Sequence, residues 1–372
     1  MTAADGIRCA LMRGGTSKGA VFLAQDLPVD PAERDELLLR IMGSPDLRQI
    51  DGLGGAHPLT SKVAVVSASS EPGVDVDYLF LQVVVDRPVV TDSQTCGNML
   101  AAVGPFAVER GLVPAGPERT DVRVRLVNTG SLAVLHVHTP GGQVSYRGDT
   151  EITGVPGTAA PVVIVAEPSG APLLPTGRSR DEFAGYAVTC IDNGMPSVLV
   201  RAAELGLTGT ESPAELEADE ELRHRVRAIR AAGAAALGID PDPDATTVPK
   251  IVLVAPPARG GAVTTRSFIP ERVHQAIGVL GAASVAAAVR LPDSVAAEVA
   301  DVPPPGEPVR IEHPTGFLDV GVAPGPDAQR PVGATSVIRT ARMIFDGTVH
   351  PGPARAEQHS GRTRPALTEV PA

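Results

Sequence analysis

Tryptophan is absent from the 372 residues, and aromatic residues make up only 3% of them. Binding single-stranded nucleic acid relies on aromatic rings that stack bases. The balance of 32 basic against 43 acidic side chains, a net charge of −11, also repels phosphate. No nucleic-acid partner is expected. Cysteine is scarce too: Cys9, Cys96 and Cys190 stand far apart, with no Cys-x-x-Cys pair. That argues against a zinc ribbon and a disulfide framework and fits a reducing compartment. Long apolar runs are missing. The stretch Ala276 to Val289 is interrupted by Gly278, Gly281 and Ser284 and falls short of the roughly 20 residues that cross a bilayer. Met1 to Arg13 carries Asp5 and lacks the basic flank and apolar run of a signal peptide. The expected setting is cytoplasmic, with no membrane partner.

Glycine (39) and proline (36) together make about a fifth of the chain, which implies many turns between short elements. The length suggests two domains, and an internal repeat supports that division. Thr60-Ser61-Lys62 runs into Val63-Ala64-Val65-Val66, and Val248-Pro249-Lys250 runs into Ile251-Val252-Leu253-Val254. A lysine opens each strand. Each is followed by a helix of small residues, Cys96 to Val103 and Gly278 to Ala286; small residues on most faces mean a helix enclosed by other structure. Each helix precedes a hairpin, Val122 to Leu135 turning at Thr129-Gly130 and Val309 to Val320 turning at Thr315-Gly316. Similar opening elements, Cys9 to Leu27 and Cys190 to Leu205, start the two units. The expected fold class is α+β, with two pseudo-symmetric domains, residues 1–180 and 181–350, divided within the Pro- and Gly-rich stretch Glu167 to Arg180. Pro351 to Ala372 is expected to be a disordered tail. Helices over Pro31 to Met42, capped by Asp30, and within Ser212 to Leu237, capped by Ser212, read as solvated surface additions.

Four places could carry chemistry. Cys96 falls at the predicted start of a central helix, where backbone amides and the positive end of the helix dipole favour a thiolate and attract a carboxylate. A lone cysteine is as often a small buried hydrophobe, and that is the expectation for Cys9 and Cys190. Lys62 enters an apolar strand, where desolvation favours a neutral amine able to act as a base; a strand-end lysine reaching water is equally common. Arg13-Gly14-Gly15-Thr16-Ser17-Lys18-Gly19 offers two cations, two hydroxyls and flexible amides as an anion cradle, although Gly-Gly-Thr-Ser is also an ordinary turn and no phosphate-binding glycine motif is present. Arg266, Ser267, Arg272 and His274 bring further polar groups before the second small-residue helix. His136 and His138 alternate on one strand without a carboxylate at ligand spacing, so no metal is expected.

These residues resemble the 2-methylaconitate isomerase and 4-oxalomesaconate tautomerase group, related to diaminopimelate epimerase. The likeness is carried by Leu11 to Gly19, Met42-Gly43-Ser44-Pro45-Asp46, Gln49 to Gly55, Pro58 to Val63, Cys96-Gly97-Asn98-Met99 with Val103 to Ala107, Ile191 to Pro196, and Arg266-Ser267-Phe268. The resemblance implies a diaminopimelate epimerase-like fold in which each half wraps a sheet around one central helix, with the active site between the facing helix N-termini. It implies Lys62 and Cys96 as the catalytic pair. The implied substrate-binding residues are Arg13, Gly15, Thr16, Ser17, Lys18, Ser61, Gly97, Asn98, Met195, Arg266, Ser267, Gly281 and Ala282.

One departure matters. Epimerases of this fold place a second cysteine at the start of the second helix, where this chain reads Ala276-Ile277-Gly278-Val279. Inversion at one carbon by paired thiols is therefore disfavoured. The resemblance implies instead a cofactor-independent isomerase that moves a proton in a small unsaturated di- or tricarboxylate. The expected reaction is keto-enol tautomerisation in aromatic catabolism, with allylic isomerisation and non-catalytic carboxylate binding as alternatives. A homo-oligomer is compatible with this reading.

Overall fold

The N-terminal half supplies strands β1 (Ile7–Gly14), β2 (Ser17–Leu23), β3 (Lys62–Ala68), β4 (Val76–Val83), β5 (Val90–Thr91), β6 (Arg119–Leu126), β7 (Ser131–His138) and β8 (Pro161–Ala166), with helices α1 (Pro31–Met42) and α2 (Gly97–Glu109). The C-terminal half supplies β9 (Asp181–Phe183), β10 (Tyr186–Asp192), β11 (Pro196–Arg201), β12 (Lys250–Ala255), β13 (Val263–Ile269), β14 (Arg272–Val273), β15 (Val309–His313), β16 (Gly316–Asp327) and β17 (Arg330–Val349). Its helices are α3 (Pro213–Ala218), α4 (Glu220–Leu237) and α5 (Val279–Val289). The computed structural model describes residues 6–167, 172–239, 248–269, 272–327 and 330–353, so most of the expected tail lies outside the described residues.

In the first half, β1 and β2 form an antiparallel hairpin, β2 runs parallel to β3, β3 antiparallel to β4, and β4 parallel to β6; β6, β7 and β8 then continue as an antiparallel meander. The same order recurs from β10 through β11, β12, β13, β15 and β16 to β17. The last strand serves both halves: residues 335–337 of β17 pair with β16 and also with β8, and residues 341–349 pair with β1. Residues 341–349 fall within the expected second unit, yet they close a ring of eight strands around α2 in the first.

Period-two alternation divides the side chains of each sheet. In the first half, Ala10, Met12, Val21, Ala64, Val66, Tyr78 and Phe80 point inward and enclose α2. Cys9, Ala20, Phe22, Val63, Val65, Leu81 and Val83 point the other way, into a second core with α1. The second half repeats the division, with Ile191, Leu199, Val252, Val254 and Val263 around α5 and Cys190, Val198, Val200, Ile251, Leu253 and Phe268 beneath α3 and α4. The strands are apolar throughout because both faces are covered.

The helices over Pro31–Met42 and Glu220–Leu237 are therefore not merely solvated additions. Asp30 caps α1 by accepting from the amides of Ala32 and Glu33 at 3.0 Å, and α1 buries Leu37, Leu38, Leu39, Ile41 and Met42. The charged residues Glu33 to Glu36 at the front of the helix hid an apolar second half that covers the sheet. The two cysteines on the outer faces are inert: burial and nearby carboxylates push Cys9 up to about 11 and Cys190 up to about 12. Replacing the fully buried Leu38 by alanine should cost about 2–5 kcal/mol in urea unfolding, whereas a cost below about 1 kcal/mol would show that α1 is not part of the core.

Candidate active site

Two enclosed helices begin at the same gap. α2 is buried from Gly97 to Ala107 and α5 along its whole length. Neither Cys96, the N-cap of α2, nor Gly278, the N-cap of α5, makes a side-chain capping bond, so the first-turn amides keep their capacity to hold an anion. The helix ends approach closely: a Cβ on Gly97 would lie 2.6 Å from Cβ of Val279, which only glycine avoids. Between them is a cavity of about 180 Å³ lined by residues of both halves, Lys62, Cys96 and Asn98 among them on one side and Lys250, Ser267, His274, Gly278 and Gly281 on the other. Among the described residues, no aspartate or glutamate lines it.

Alternation decides which strand residues reach this cavity. Lys62 shares the inward parity of Ala64 and Val66 and is buried. Its ammonium donates to Oε1 of Gln82 at 2.8 Å and lies 5.0 Å from the Phe80 ring centroid. The Gln82 amide in turn donates to the Ser61 carbonyl at 2.9 Å, and the Ser61 hydroxyl donates to Oε1 of Gln49 at 2.5 Å. Gln49 donates to the Ser44 hydroxyl at 3.0 Å, so residues 44–61 act as a knotted loop that fixes the start of β3. Cys96 is half-buried, and its carbonyl accepts from the Tyr78 hydroxyl at 3.1 Å. Burial holds the Tyr78 phenol well above its ordinary range, so it remains a donor.

Ser17 and Thr95 also line the cavity, and their buried hydroxyls have no hydrogen-bond partner among the described residues. Buried unpaired hydroxyls are costly, and these two are available to donate to a group that enters the cavity. Asn98 is held in place: its Nδ2 donates to the Thr16 hydroxyl at 3.2 Å, and its Oδ1 accepts from Nε of Arg339 at 3.2 Å. Gly15, at φ +51°, makes room for it, since a Cβ there would meet Oδ1 of Asn98 at 2.1 Å. His274 accepts from the Ala276 amide at 2.9 Å through Nδ1. Burial, with Lys62, Lys250 and His313 nearby, pushes it down to about 4, so at neutral pH it carries its proton on Nε2.

Of the residues expected at the site, Ser17, Lys62, Cys96, Gly97, Asn98, Met195, Ser267 and Gly281 line the cavity. Arg13, Gly15, Thr16, Lys18, Ser61, Arg266 and Ala282 do not. Arg13 donates to the carbonyls of Gly15 and Thr340 at 2.9 Å and to the Thr340 hydroxyl at 3.0 Å, tying the β1–β2 turn to β17. Arg266 donates to the Glu211 carbonyl at 2.5 Å and the Thr265 carbonyl at 2.8 Å. The reason is common to the three cations: Arg13, Lys18 and Arg266 neighbour Met12, Ser17 and Ser267 in their strands and have the opposite, outward parity. Ala282 packs in the core around α5. Conversely, Lys250, Gln82, Gln94 and Thr95 line the cavity without having been expected there. The parity that Lys250 shares with Val252 and Val254 was the available signal. Among the described residues, no three His, Cys, Asp or Glu side chains form a metal-holding group, and no helix is long and apolar enough to cross a membrane.

The profile of the PrpF protein family matches residues 5–351. The chain is 54% identical over 350 residues to the (4E)-oxalomesaconate Delta-isomerase of Novosphingobium sp. (strain KA1), covering 93% of this chain and 97% of that protein. It is 52% identical over 349 residues to the 4-oxalomesaconate tautomerase of Pseudomonas putida, covering 92% and 95%. The crystal structure of methylitaconate-delta-isomerase superposes with a TM-score of 0.80 at 33% identity over 96% of this chain and 97% of that one. A hydroxyproline epimerase from Agrobacterium vitis shares the fold, with a TM-score of 0.57 at 15% identity over 94% of each chain. The chain shares its fold with these proteins and belongs to the PrpF family as an isomerase.

Proposed function

We propose that the protein interconverts the keto and enol forms of 4-oxalomesaconate by acid-base proton transfer between Lys62, Cys96 and the substrate. The observation that carries this reading is the meeting of Lys62 and Cys96 in one cavity bounded by two uncapped helix N-termini and, among the described residues, free of acidic side chains. The names of the two relatives more than half identical over nearly their whole length support the substrate. Aromatic catabolism is the setting this substrate implies. The two halves, residues 1–180 and 181–350, are read as pseudo-symmetric domains sharing β17, and the recurring order of strand pairings supports that.

The substrate carboxylates lie against the first-turn amides of α2 and α5 and accept from the unpaired hydroxyls of Ser17 and Thr95. A C–H beside a carbonyl must then ionise near neutral pH. The adjacent keto group spreads the developing charge into a dienolate, and fixed donors stabilise it. One of the amine and the thiol accepts the proton, which is returned to the enol oxygen or carbon. Nothing leaves and nothing is oxidised, so the step balances without a further reagent. Return of the proton to the distal carbon of the same dienolate would give allylic isomerisation. That second reading is favoured by the Delta-isomerase name of the 54% identical relative.

Lys62→Ala and Cys96→Ala, each folded by circular dichroism, should lose about 10²-fold or more in kcat when the ultraviolet change of the substrate is followed. Near-normal turnover in both would overturn the assignment. Running the reaction in deuterated water separates the readings: deuterium at the distal carbon marks allylic transfer, and bound acid that gains none marks a non-catalytic site. Arg13→Ala should lower Tm while leaving KM within about threefold, because the side chain holds β17 and does not line the cavity; a large rise in KM with unchanged Tm would return Arg13 to the binding site.

A further inference from the structure

Lys250 has no part in the proton transfer just described, yet its placement parallels that of Lys62. β3 lies parallel to β2 with Gly19 opposite Lys62, and β12 lies parallel to β11 with Ser197 opposite Lys250. Each lysine opens its strand with inward parity, and the two enter one cavity from different halves. Their surroundings differ. Lys62 has a short bond to Gln82 and an aromatic face beneath it. Lys250 is buried, reaches Oε1 of Gln94 only at 3.4 Å, and pairs with no carboxylate among the described residues.

Among the described residues, the groups that face Lys250 are Gln94, Arg230 from α4, Lys62 from β3 and His274 from the segment before α5, together with the cavity thiol of Cys96 and the positive ends of α2 and α5. Apart from the thiol, each is cationic, neutral or a positive dipole end. A buried cation in such company is costly until a counter-ion arrives. One polyanionic ligand would satisfy both lysines and both helix ends.

We propose that Lys250 is a specificity-determining residue whose ammonium pairs with the carboxylate that a tricarboxylate carries beyond those of a dicarboxylate. The inference rests on the polycarboxylate reading given above and deepens it. In the free protein, burial, then Arg230 and Lys62, bring Lys250 down to about 7. A carboxylate against it raises that value again. Binding therefore draws in a proton near neutral pH, and affinity is greatest below pH 7 and falls as pH rises above it.

The test is isothermal titration calorimetry of the intact enzyme with tricarballylate, which carries three carboxylates, and glutarate, which carries two. Both are saturated acids that cannot tautomerise. Titrations at pH 7 in two buffers of different ionisation enthalpy should show uptake of about half a proton per site with tricarballylate. In Lys250→Met the uptake should vanish and tricarballylate affinity fall tenfold or more, with glutarate affinity changed less than threefold. Lys250→Arg should recover tricarballylate affinity without proton uptake, since a guanidinium stays charged. Lys62→Met should keep part of the uptake, because burial and Arg230 still hold Lys250 low once the smallest cause, Lys62, is gone. The proposal is overturned by absence of uptake in the wild type, by equal losses for the two acids in Lys250→Met, or by Lys250→Arg binding no better than Lys250→Met. If Lys250→Met does not fold, the wild-type and Lys62→Met titrations decide. Turnover of 4-oxalomesaconate by the wild type is scored separately: turnover without proton uptake sinks this inference alone, and uptake without turnover sinks the tautomerase reading alone.

Discussion

Two helices wrapped in sheet have to leave their first-turn amides somewhere, and that requirement organises the molecule. A fully enclosed helix cannot satisfy its leading N–H groups with water along its sides, and neither α2 nor α5 has a side-chain cap. Both therefore open on the gap between the halves. Gly97 lets the two ends come within packing distance across Val279, and the strands set their inward lysines around the same point. The gap is electropositive by construction, without a surface excess of basic residues: the chain as a whole carries −11. Charge counted over the whole sequence describes solubility and unwanted partners. It says little about a cavity of about 180 Å³.

Much of this arrangement was legible in residue order. The lysine-opened apolar runs, the small-residue helices and the hairpin turns at Thr129-Gly130 and Thr315-Gly316 appear where the repeat placed them. Local patterns with both faces buried leave little choice of element. The return of β17 was not legible, because a 20-residue strand shared by the two halves of one continuous sheet is decided by long-range pairing and carries no local mark. Nor was the covering role of α1, whose apolar residues cluster in its second half behind charged ones.

The cations illustrate a subtler failure. Arg13, Lys18 and Arg266 were expected to hold anions because they lie in conspicuous motifs close to the helices. Motif membership places a residue along the chain, but in a strand one step along the chain reverses the face. Arg13 instead binds the β17 backbone, and Arg266 binds the carbonyls of Glu211 and Thr265. Lys250, in a less conspicuous run, has the parity that counts. Arg339 acts one step removed from the cavity: burial lowers it to about 10, and it grips Oδ1 of Asn98, which does line the cavity. Its distance of 241 residues from Asn98 is why sequence order gave no hint of the contact.

The asymmetry of the two helix starts bears on the kind of proton transfer the site can support. A pair of thiols at both N-caps would present matched groups to opposite faces of one carbon, which suits inversion. Here one N-cap is Cys96 and the other is Gly278, where an added Cβ would meet nothing within 4 Å. In the proposed reaction the second group is the Lys62 amine on β3, in the same half as Cys96. An amine and a thiol from one half differ in basicity and in position, and together they suit removal of a proton from one atom and delivery to another along a conjugated acid. The other half contributes room at Gly278 and a second buried lysine; in the proposed reaction it is the half that would grip the acid while the first half moves the proton.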